Sequence, residues 1–485
     1  MTDGGLPRPE PRAGGAQPRP LMDRFLRWLG RLVLDAFYRR IEMVGADKVP
    51  AQGPLIVVAN HSNSLVDGAV IISYLPRMSR FLGASTVWDY RPIRPLLNAA
   101  GVVPLHRRQD GRADQGALTE SFSQASDLLQ AGGVLALFPE GISHNNPRVL
   151  PLKSGAARIA LETETTRGPL GLTVLPVCLT FEEKYRVRTR ALIEIGDPIA
   201  LLPDELDGYR SGQRAAKADA IRALTARVQD SLEAMTPARE TWEEARLVAR
   251  AADMLAEPGP GLAPQDDLAG ATANRRSIQA GYVWARDQHP ERTDKLRQDL
   301  ADYDGMLRAT GLRDDQLASG ASIETPAGGL GRLLWLGMSA PVAVLGLVLN
   351  LLPFLMLRAL SRRKDLDKRS TWSIFAGFFV FPIFWILSFC VLGLAVASLR
   401  GSSAGWPVGL ALLFLAPLTG RISLIFLDRL AATRADRRAR LALRSPTDRI
   451  ALLIRKRGLI RDELTELAAL FRTAHPATEA SKTAP

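Results

Sequence analysis

The side chains best suited to acid–base chemistry stand at the end of a predicted strand. The segment LIVVANHSNSLVDG (55–68) places His61 just after an apolar run, with Asp67 close behind it. An α/β sheet presents its active site beyond the carboxyl ends of its strands. A neutral imidazole that a carboxylate orients can remove a proton from a hydroxyl near neutral pH. One His and one Asp at this distance are usually incidental, so the pair needs support from elsewhere in the chain.

The other histidines are weaker candidates. His144 precedes an Asn-Asn-Pro sequence that is typical of a loop, so we predict a loop residue there rather than an alternative base. His106 precedes two arginines, which favours a structural or phosphate-proximal position. His289 and His475 lie outside the segments that alternate strand and helix.

Further blocks follow His61 in a fixed order. They are GVVPLHR (101–107), FPEGIS (138–143), PLKSGAARIA (151–160) and LPV (175–177). Together with NHSNSLVD (60–67) they resemble the four blocks of the PlsC-type glycerolipid acyltransferase superfamily. The resemblance covers about residues 40–200, and ordered blocks are far more specific than any single one.

The resemblance implies a role for each matched residue. His61 would be the general base and Asp67 would orient it, while Arg107 and the Glu140–Gly141 pair would bind the acceptor's phosphate and shape its site. Because a carboxylate repels phosphate, we expect Glu140 to order Arg107 or to bond an acceptor hydroxyl.

Other block residues add charge or support. Lys153 and Arg108 could contribute to phosphate binding, although for each residue taken singly a solvated surface cation is favoured. The supporting residues are Asn60, Gly101, Pro139, Ser143 and Pro176.

The spacing of the first block is unusual. Five residues, Ser62 to Val66, separate His61 from Asp67, where the superfamily usually has four. At about 100° per residue neither spacing brings the two side chains onto one face of a helix, so the block must contain a turn. The longer spacing and YDGMLRATGLRDDQL (303–317) resemble the fungal-type glycerol-3-phosphate/dihydroxyacetone-phosphate acyltransferase branch.

That resemblance implies the first acylation of a glycerol phosphate. Two alternatives stay open: an acyltransferase that acts on 1-acyl-glycerol-3-phosphate or another lysophospholipid, and an inactive membrane scaffold of the same fold. A thioester is already an activated donor, so no protein nucleophile is required, and no Gly-x-Ser-x-Gly elbow occurs around the site. We expect acyl-CoA or acyl-carrier protein as donor, with neither a metal nor a bound cofactor.

Composition restricts the partners. The 485 residues include 62 Lys+Arg and 50 Asp+Glu, a net charge of +12 that suits polyanionic partners. Because the C-terminal half is strongly apolar, we expect membrane lipids and no nucleic acid. Cys178 and Cys390 each lie in an apolar run, which excludes a disulfide framework and a Cys-based metal site.

The chain is predicted to begin with a disordered tail over 1–20 and to continue as an acyltransferase domain over 21–235. In that domain short apolar runs alternate with helical stretches, which predicts an α/β fold with a mainly parallel sheet flanked by helices. Within it, 21–45 is an amphipathic helix that either lies on a membrane or packs on its own domain. Residues 236–330 are predicted to be a helical extension of this catalytic unit.

Residues 331–428 are predicted to be an α-helical membrane region. Apolar runs near 333–357, 374–399 and 406–427 are long enough to span a bilayer. The basic loop 358–370 and a basic tail over 429–485 should be cytoplasmic. If the catalytic domain also faces the cytoplasm, the first apolar run must enter the membrane and return to the same side, with a turn at Asn350 and Pro353. The alternative is that all three runs cross the membrane.

Overall fold

The computed structural model describes residues 20–89, 91–106, 115–184, 186–236, 241–256, 267–318, 329–362, 366–400, 405–444 and 447–475. The chain forms two compact units. The first unit holds residues 1–238 and 365–374, and the second unit holds residues 239–364 and 375–485. The tail predicted over 1–20 lies almost entirely outside the described residues.

The first unit is an α/β fold. Its strands are β1 (Arg40–Val44), β2 (Leu55–Ala59), β3 (Ser79–Ala84), β4 (Val103–Leu105), β5 (Val134–Leu137), β6 (Thr173–Phe181), β7 (Arg190–Ile195) and β8 (Ile199–Ala200). Its helices are α1 (Pro20–Phe37), α2 (Leu65–Tyr74), α3 (Arg94–Ala99), α4 (Gln115–Gln130), α5 (Gly155–Thr166), α6 (Pro203–Arg210) and α7 (Arg214–Met235). Short 3₁₀ turns occur at Ala46–Lys48, Ser85–Asp89 and Arg91–Ile93.

The sheet is mainly parallel, as predicted. Its strand order is β1-β7-β6-β2-β5-β3-β4, with β8 paired to β6, and only β6 with β7 and β6 with β8 run antiparallel among the described strands. Every residue of β2 and of β5 is buried, which is expected of parallel strands that are covered on both faces. Residues of α4, α5 and α7 pack with these strands in one apolar core. Because β2 and β5 are parallel neighbours, the segments after Ala59 and after Leu137 emerge at the same edge of the sheet.

Pro176 lies inside β6, where a missing N–H is normally costly. On one side it is in register with Val58 of β2. On the other side it falls between the pairing of β6 with β8, which covers Thr173 and Val174, and the pairing with β7, which starts at Val177. Its carbonyl accepts a hydrogen bond from the Gly196 N–H at 2.9 Å. The proline therefore occupies the one gap between the two antiparallel partners of this strand.

The described part of the second unit is helical. Its elements are α8 (Trp242–Leu255), α9 (Leu268–Gln288), α10 (Pro290–Thr310), α11 (Asp314–Ala318), α12 (Gly329–Arg362), α13 (Leu366–Arg400), α14 (Gly405–Arg444) and α15 (Asp448–Ala474). The first residues of α13, up to Ile374, belong to the first unit.

Helices α8 to α11 pack with α15 around a core of their own. The described residues of 241–318 and of α15 thus belong to the second unit, while the domain bounds predicted for 236–330 and 429–485 stay predictions. Asp314 shows what joins the elements: its carboxylate accepts a hydrogen bond from the Tyr303 hydroxyl at 2.6 Å and two from Arg457, at 3.0 and 3.1 Å. The YDGMLRATGLRDDQL segment thus supplies buried polar contacts of this core.

Three helices are long and apolar enough to cross a membrane, by length and composition. They are Gly331–Arg362, Thr371–Leu399 and Gly409–Arg444. α12 runs without interruption through Asn350 and Pro353, so the turn that we predicted at these residues is not present. The Asn350 amide instead donates to the carbonyls of Gly346 and Ala416, at 2.9 and 3.0 Å, and accepts from Trp385 Nε1 at 3.0 Å. The polar residue that suggested a turn joins three helices.

Candidate active site

His61 and Asp67 form a hydrogen-bonded pair at the carboxyl end of β2. The Nδ1 atom of His61 lies 3.0 Å from Asp67 Oδ2. The same oxygen accepts the N–H groups of Ser62 and Asn63, at 2.9 and 2.7 Å. Asp67 is fully buried, while the His61 side chain keeps 17% of its surface exposed. An ionised Asp67 therefore orients the imidazole so that Nδ1 carries the hydrogen and Nε2 keeps its lone pair.

A turn before α2 makes this pairing possible despite the long spacing. Ser64 has a φ of 50°, an uncommon value for a residue with a side chain. Its N–H donates to Ser143 Oγ at 3.0 Å. α2 begins only at Leu65, so His61 stands before the helix and Asp67 in its first turn. The predicted turn is confirmed, and Ser143 is the side chain that holds it.

Phe138 was not identified from the sequence, although it begins the FPEGIS block. Its ring stacks on the His61 imidazole with centroids 4.0 Å apart and an interplanar angle of 5°. The hydrogen bond to Asp67 restrains the imidazole as well. Together they leave the ring little freedom to rotate away from the position that the pair requires.

Glu140 is buried and holds the backbone around the site. Its Oε1 accepts the His61 N–H at 2.7 Å, and its Oε2 accepts the Leu150 N–H at 2.7 Å and contacts His144 Nε2. Both oxygens are thus engaged by the protein itself. The predicted contact of Glu140 with Arg107 involves a residue outside the described part of the chain, so it stays a prediction.

His144 lies close to His61 but is tied into the same network. Its Nδ1 accepts the N–H of Asn146 at 3.1 Å, so Nε2 carries the hydrogen and donates it to Glu140. Its own N–H donates to the carbonyl of His61 at 3.1 Å. With both ring nitrogens occupied, His144 is a loop residue with a structural role, which agrees with the prediction.

Two asparagines of the first block bond to residues of other elements. The Asn60 amide donates to the Leu179 carbonyl at 3.0 Å and accepts the Leu179 N–H at 2.7 Å, so it extends the pairing of β2 with β6 past the end of the strand. Asn63 donates to the Tyr38 hydroxyl at 3.1 Å. Burial, together with the Asp67 carboxylate, raises the pKa of Tyr38 well above its usual value.

Two glycines of the blocks, Gly141 and Gly101, lie in close contact with the side chains of other residues. Gly141 has a φ of 74°, and a Cβ there would lie 2.7 to 2.9 Å from the end of the Lys153 side chain. Lys153 is also joined to this loop by its N–H, which donates to the Pro139 carbonyl at 2.8 Å. Gly101 has a φ of 64° and packs against the Arg80 side chain. Lys153 therefore lies beside the Glu140–Gly141 turn, and its predicted role in phosphate binding stays a prediction.

The predicted phosphate ligand Arg107 and its neighbour Arg108 lie outside the described residues, and β4 ends two residues before Arg107. Pro139 is buried, and Pro176 lies within β6 rather than in the loops that hold His61. No cluster of His, Cys, Asp and Glu that could hold a metal ion occurs in the described part of the chain.

The segment that holds this site is similar to known acyltransferases. Residues 40–180 match the family described as Acyltransferase. An uncharacterized acyltransferase of Schizosaccharomyces pombe is 24% identical over 376 residues, which cover 60% of this chain and 54% of that protein. Glycerol-3-phosphate O-acyltransferase 2 of Saccharomyces cerevisiae is 25% identical over 286 residues, 55% of this chain and 37% of that protein.

A second class of relative also matches. The 1-acyl-sn-glycerol-3-phosphate acyltransferase alpha of Bos taurus is 26% identical over 221 residues, 45% of this chain and 69% of that protein. The solved structure of PlsC, the 1-acyl-sn-glycerophosphate (LPA) acyltransferase of Thermotoga maritima, covers 44% of this chain and 80% of that chain, with 18% identity and a TM-score of 0.30. The chain spans about half or less of the length of the two yeast relatives.

Proposed function

We propose, on the premise that residues 40–180 form an acyltransferase domain of the PlsC type, that this protein transfers an acyl group to a hydroxyl of a glycerol phosphate. The observation that carries the proposal is the His61 Nδ1–Asp67 Oδ2 hydrogen bond of 3.0 Å, which leaves Nε2 as the basic atom. Among the described residues Nε2 has no hydrogen-bond partner, so it is available to an acceptor hydroxyl.

In the proposed reaction, Nε2 of His61 removes the proton of the acceptor hydroxyl. The hydroxyl oxygen attacks the carbonyl carbon of an acyl thioester at the same time. The new C–O bond forms, the C–S bond breaks, and the imidazolium returns the proton to the leaving thiolate. The buried Asp67 carboxylate stabilises the imidazolium that exists between the two proton transfers. General-base catalysis of this kind contributes about 10²- to 10⁴-fold to a rate.

Glycerol 3-phosphate or dihydroxyacetone phosphate is the acceptor we favour, and acyl-CoA or acyl-carrier protein the donor. The five-residue spacing between His61 and Asp67 and the match to the Saccharomyces cerevisiae relative support this choice. Arg107 and Lys153 would bind the acceptor's phosphate. The match to the Bos taurus relative supports the alternative acceptor, a 1-acyl-glycerol 3-phosphate, through the same residues.

The test is an assay of the purified membrane protein with labelled acyl-CoA and, in parallel, acyl-carrier protein. Each donor is offered with glycerol 3-phosphate, dihydroxyacetone phosphate and lysophosphatidate. We expect turnover with one of the first two acceptors, and a loss of about 10²- to 10⁴-fold in His61→Ala and Asp67→Asn. His289→Ala, in the second unit, is the control variant.

Each outcome of this assay separates the alternatives. Turnover that is restricted to lysophosphatidate supports the alternative acceptor, a 1-acyl-glycerol 3-phosphate. No turnover with any acceptor would favour the inactive scaffold, and full activity of His61→Ala would refute the mechanism.

We further propose that the protein is embedded in a membrane with the acyltransferase domain facing the cytoplasm. Within the first unit the Thr371 hydroxyl donates to the Asn63 carbonyl at 3.4 Å. A hydrocarbon core about 30 Å thick cannot separate two residues in contact, so Asn63 and Thr371 lie on the same side of the membrane. Because α12 stands between these two residues in the chain, the bond supports a chain that is on the same side before and after α12. The segments 374–399 and 406–427 stay the proposed crossing pair.

Labelling of single cysteines tests this orientation. Ser211→Cys in the first unit and Arg362→Cys at the end of α12 are both exposed positions, and Cys178 and Cys390 are replaced by alanine. In sealed vesicles of known orientation we expect an impermeant maleimide to reach both positions from the cytoplasmic face, with detergent-treated vesicles as the control for reactivity. Labelling from opposite faces would contradict the proposal and favour three plain spans.

A further inference from the structure

A cavity lies inside the second unit, whereas His61 belongs to the first. It has a volume of about 500 Å³ and is lined by residues of α8, α9, α10 and α15. Ligand sites typically enclose about 300 to 1,000 Å³, so this space is large enough for a small organic molecule. The proposed reaction does not use it.

The wall of the cavity is aliphatic. The buried side chains that line it include Leu247, Leu296, Leu300, Leu464 and Leu467. Such a surface favours a ligand that is itself apolar over most of its length, because moving apolar surface out of water into the cavity is favourable.

Cations predominate among the charged residues that line the cavity. Arg276, Arg297 and Arg472 contribute to the lining, against a single carboxylate from Glu244. Arg297 and Arg472 are exposed whereas the leucines are buried, so these cations border the solvent side of the cavity, with Arg472 Nε donating to the Ala468 carbonyl at 3.3 Å. Arg297 also contacts Asp294 at 3.6 Å, an exposed pair of little energetic weight. An apolar interior with a basic mouth matches an apolar chain that ends in a negative charge.

The bundle that contains the cavity is joined to the apolar helices of the same unit. Asp436 of α14 accepts a hydrogen bond from Gln316 at 3.3 Å and pairs with Arg332 of α12 at 3.3 Å. Asp436 follows the apolar run 406–427 on one uninterrupted helix, about 14 Å further along its axis at 1.5 Å per residue. The cavity therefore belongs to a bundle held next to the segments that suit a lipid environment.

We propose that this cavity is a binding site for a single-chain lipid with an anionic headgroup. The aliphatic chain lies among the leucines of the four helices, and a carboxylate or phosphate meets the arginines at the mouth. A fatty acid and a lysophosphatidate share this chemistry. The site is separate from the proposed acyl-transfer site and does not depend on that proposal.

Two neighbouring alanines of α15 provide a matched pair of variants. Ala468 lines the cavity, whereas Ala469 is exposed and does not. Ala468→Trp should fill the cavity, and Ala469→Trp should leave it open while adding the same side chain to the same helix. For the charge requirement, Arg276→Glu and Arg472→Glu are compared with Arg461→Glu, an exposed position of α15 outside the lining.

The experiment is photocrosslinking of the full chain in nanodiscs, with labelled peptides identified by mass spectrometry. The probes are a photoactivatable fatty acid, a photoactivatable lysophosphatidate and a neutral photoactivatable monoacylglycerol. We expect the anionic probes to label peptides of α8, α9, α10 and α15, with labelling about tenfold lower in Ala468→Trp and unchanged in Ala469→Trp. Comparison of the two anionic probes identifies the preferred headgroup.

The charge variants provide the second readout. Arg276→Glu and Arg472→Glu should reduce labelling by the anionic probes and leave the monoacylglycerol unaffected, while Arg461→Glu should behave as the wild type. Equal labelling of Ala468→Trp and Ala469→Trp would overturn the proposal. So would a monoacylglycerol that labels these helices as strongly as the anionic probes, or crosslinks confined to the first unit.

Discussion

Glu140, three residues after the end of β5, accepts the backbone N–H of His61, two residues after the end of β2, at 2.7 Å. The side chain of one loop thereby sets the position of the backbone from which the catalytic candidate projects. The second oxygen of the same carboxylate accepts the Leu150 N–H at 2.7 Å. A carboxylate is suited to this position because it only accepts hydrogen bonds, and every group that surrounds it donates one.

Glu140→Gln tests whether this residue positions His61 or binds substrate. The amide nitrogen cannot accept a hydrogen bond, so at least one buried donor loses its partner, at a cost of about 1 to 3 kcal/mol. We expect kcat to fall about tenfold or more, with little change in the KM of the acceptor. Glu120→Gln, at an exposed position of α4, is the control. A raised KM at unchanged kcat would indicate a direct substrate contact instead.

Gly141→Ala should destabilise the turn beside the site. Alanine at a φ of 74° costs about 1 to 2 kcal/mol, and its Cβ would also displace the Lys153 side chain. We expect a lower unfolding temperature and weaker acceptor binding. Gly155→Ala is the matched control, because a Cβ there meets no atom within 4 Å and the residue begins α5. Equal behaviour of the two variants would contradict the role given to this turn.

Asp314→Asn should destabilise the second unit. Asp314 and Arg457 are joined by two hydrogen bonds, at 3.0 and 3.1 Å, and both are largely withdrawn from solvent. Removing one charge of such a pair costs about 3 to 5 kcal/mol, because the other stays buried without compensation. Asp315→Asn is the control, because it changes the adjacent, more exposed carboxylate. Thermal unfolding of both variants should show a large decrease only for Asp314→Asn.

Tyr38 should make the first unit sensitive to alkali. Burial, and then the Asp67 carboxylate, raise its pKa in the folded protein above the value of about 10 expected in the unfolded chain. The neutral phenol thus stabilises the fold fully below about pH 10, and this contribution is lost as the pH rises further. We expect the free energy of unfolding to fall more steeply above pH ~10 in the wild type than in Tyr38→Phe, by denaturant titration. Parallel curves would exclude a contribution from this phenol.

Some features follow directly from local sequence. The alternation of apolar runs with helical stretches predicts the α/β fold, and the position of NHSNSLVD after such a run places His61 at the end of β2. The five-residue spacing to Asp67 also requires a turn, which the structure has at Ser64. These predictions succeed because strand ends, helix starts and turns depend on residues that are close together in the chain.

Other features depend on which elements become neighbours. Phe138 stacks on His61, and Glu140 bonds its N–H, only because β5 pairs with β2, and the two loops are more than 70 residues apart in sequence. No local pattern specifies that strand order.

The same reason applies in the second unit. Asn350 and Pro353 predict a turn locally, but contacts from α13 and α14 satisfy the amide and a single helix results. Helices α8 to α11 are helical by local pattern, yet their buried core is completed by α15 and by Ala439 of α14, more than 100 residues away. Local sequence determined the elements and the residues at their ends, whereas long-range packing decided which of them meet around His61 and around the second core.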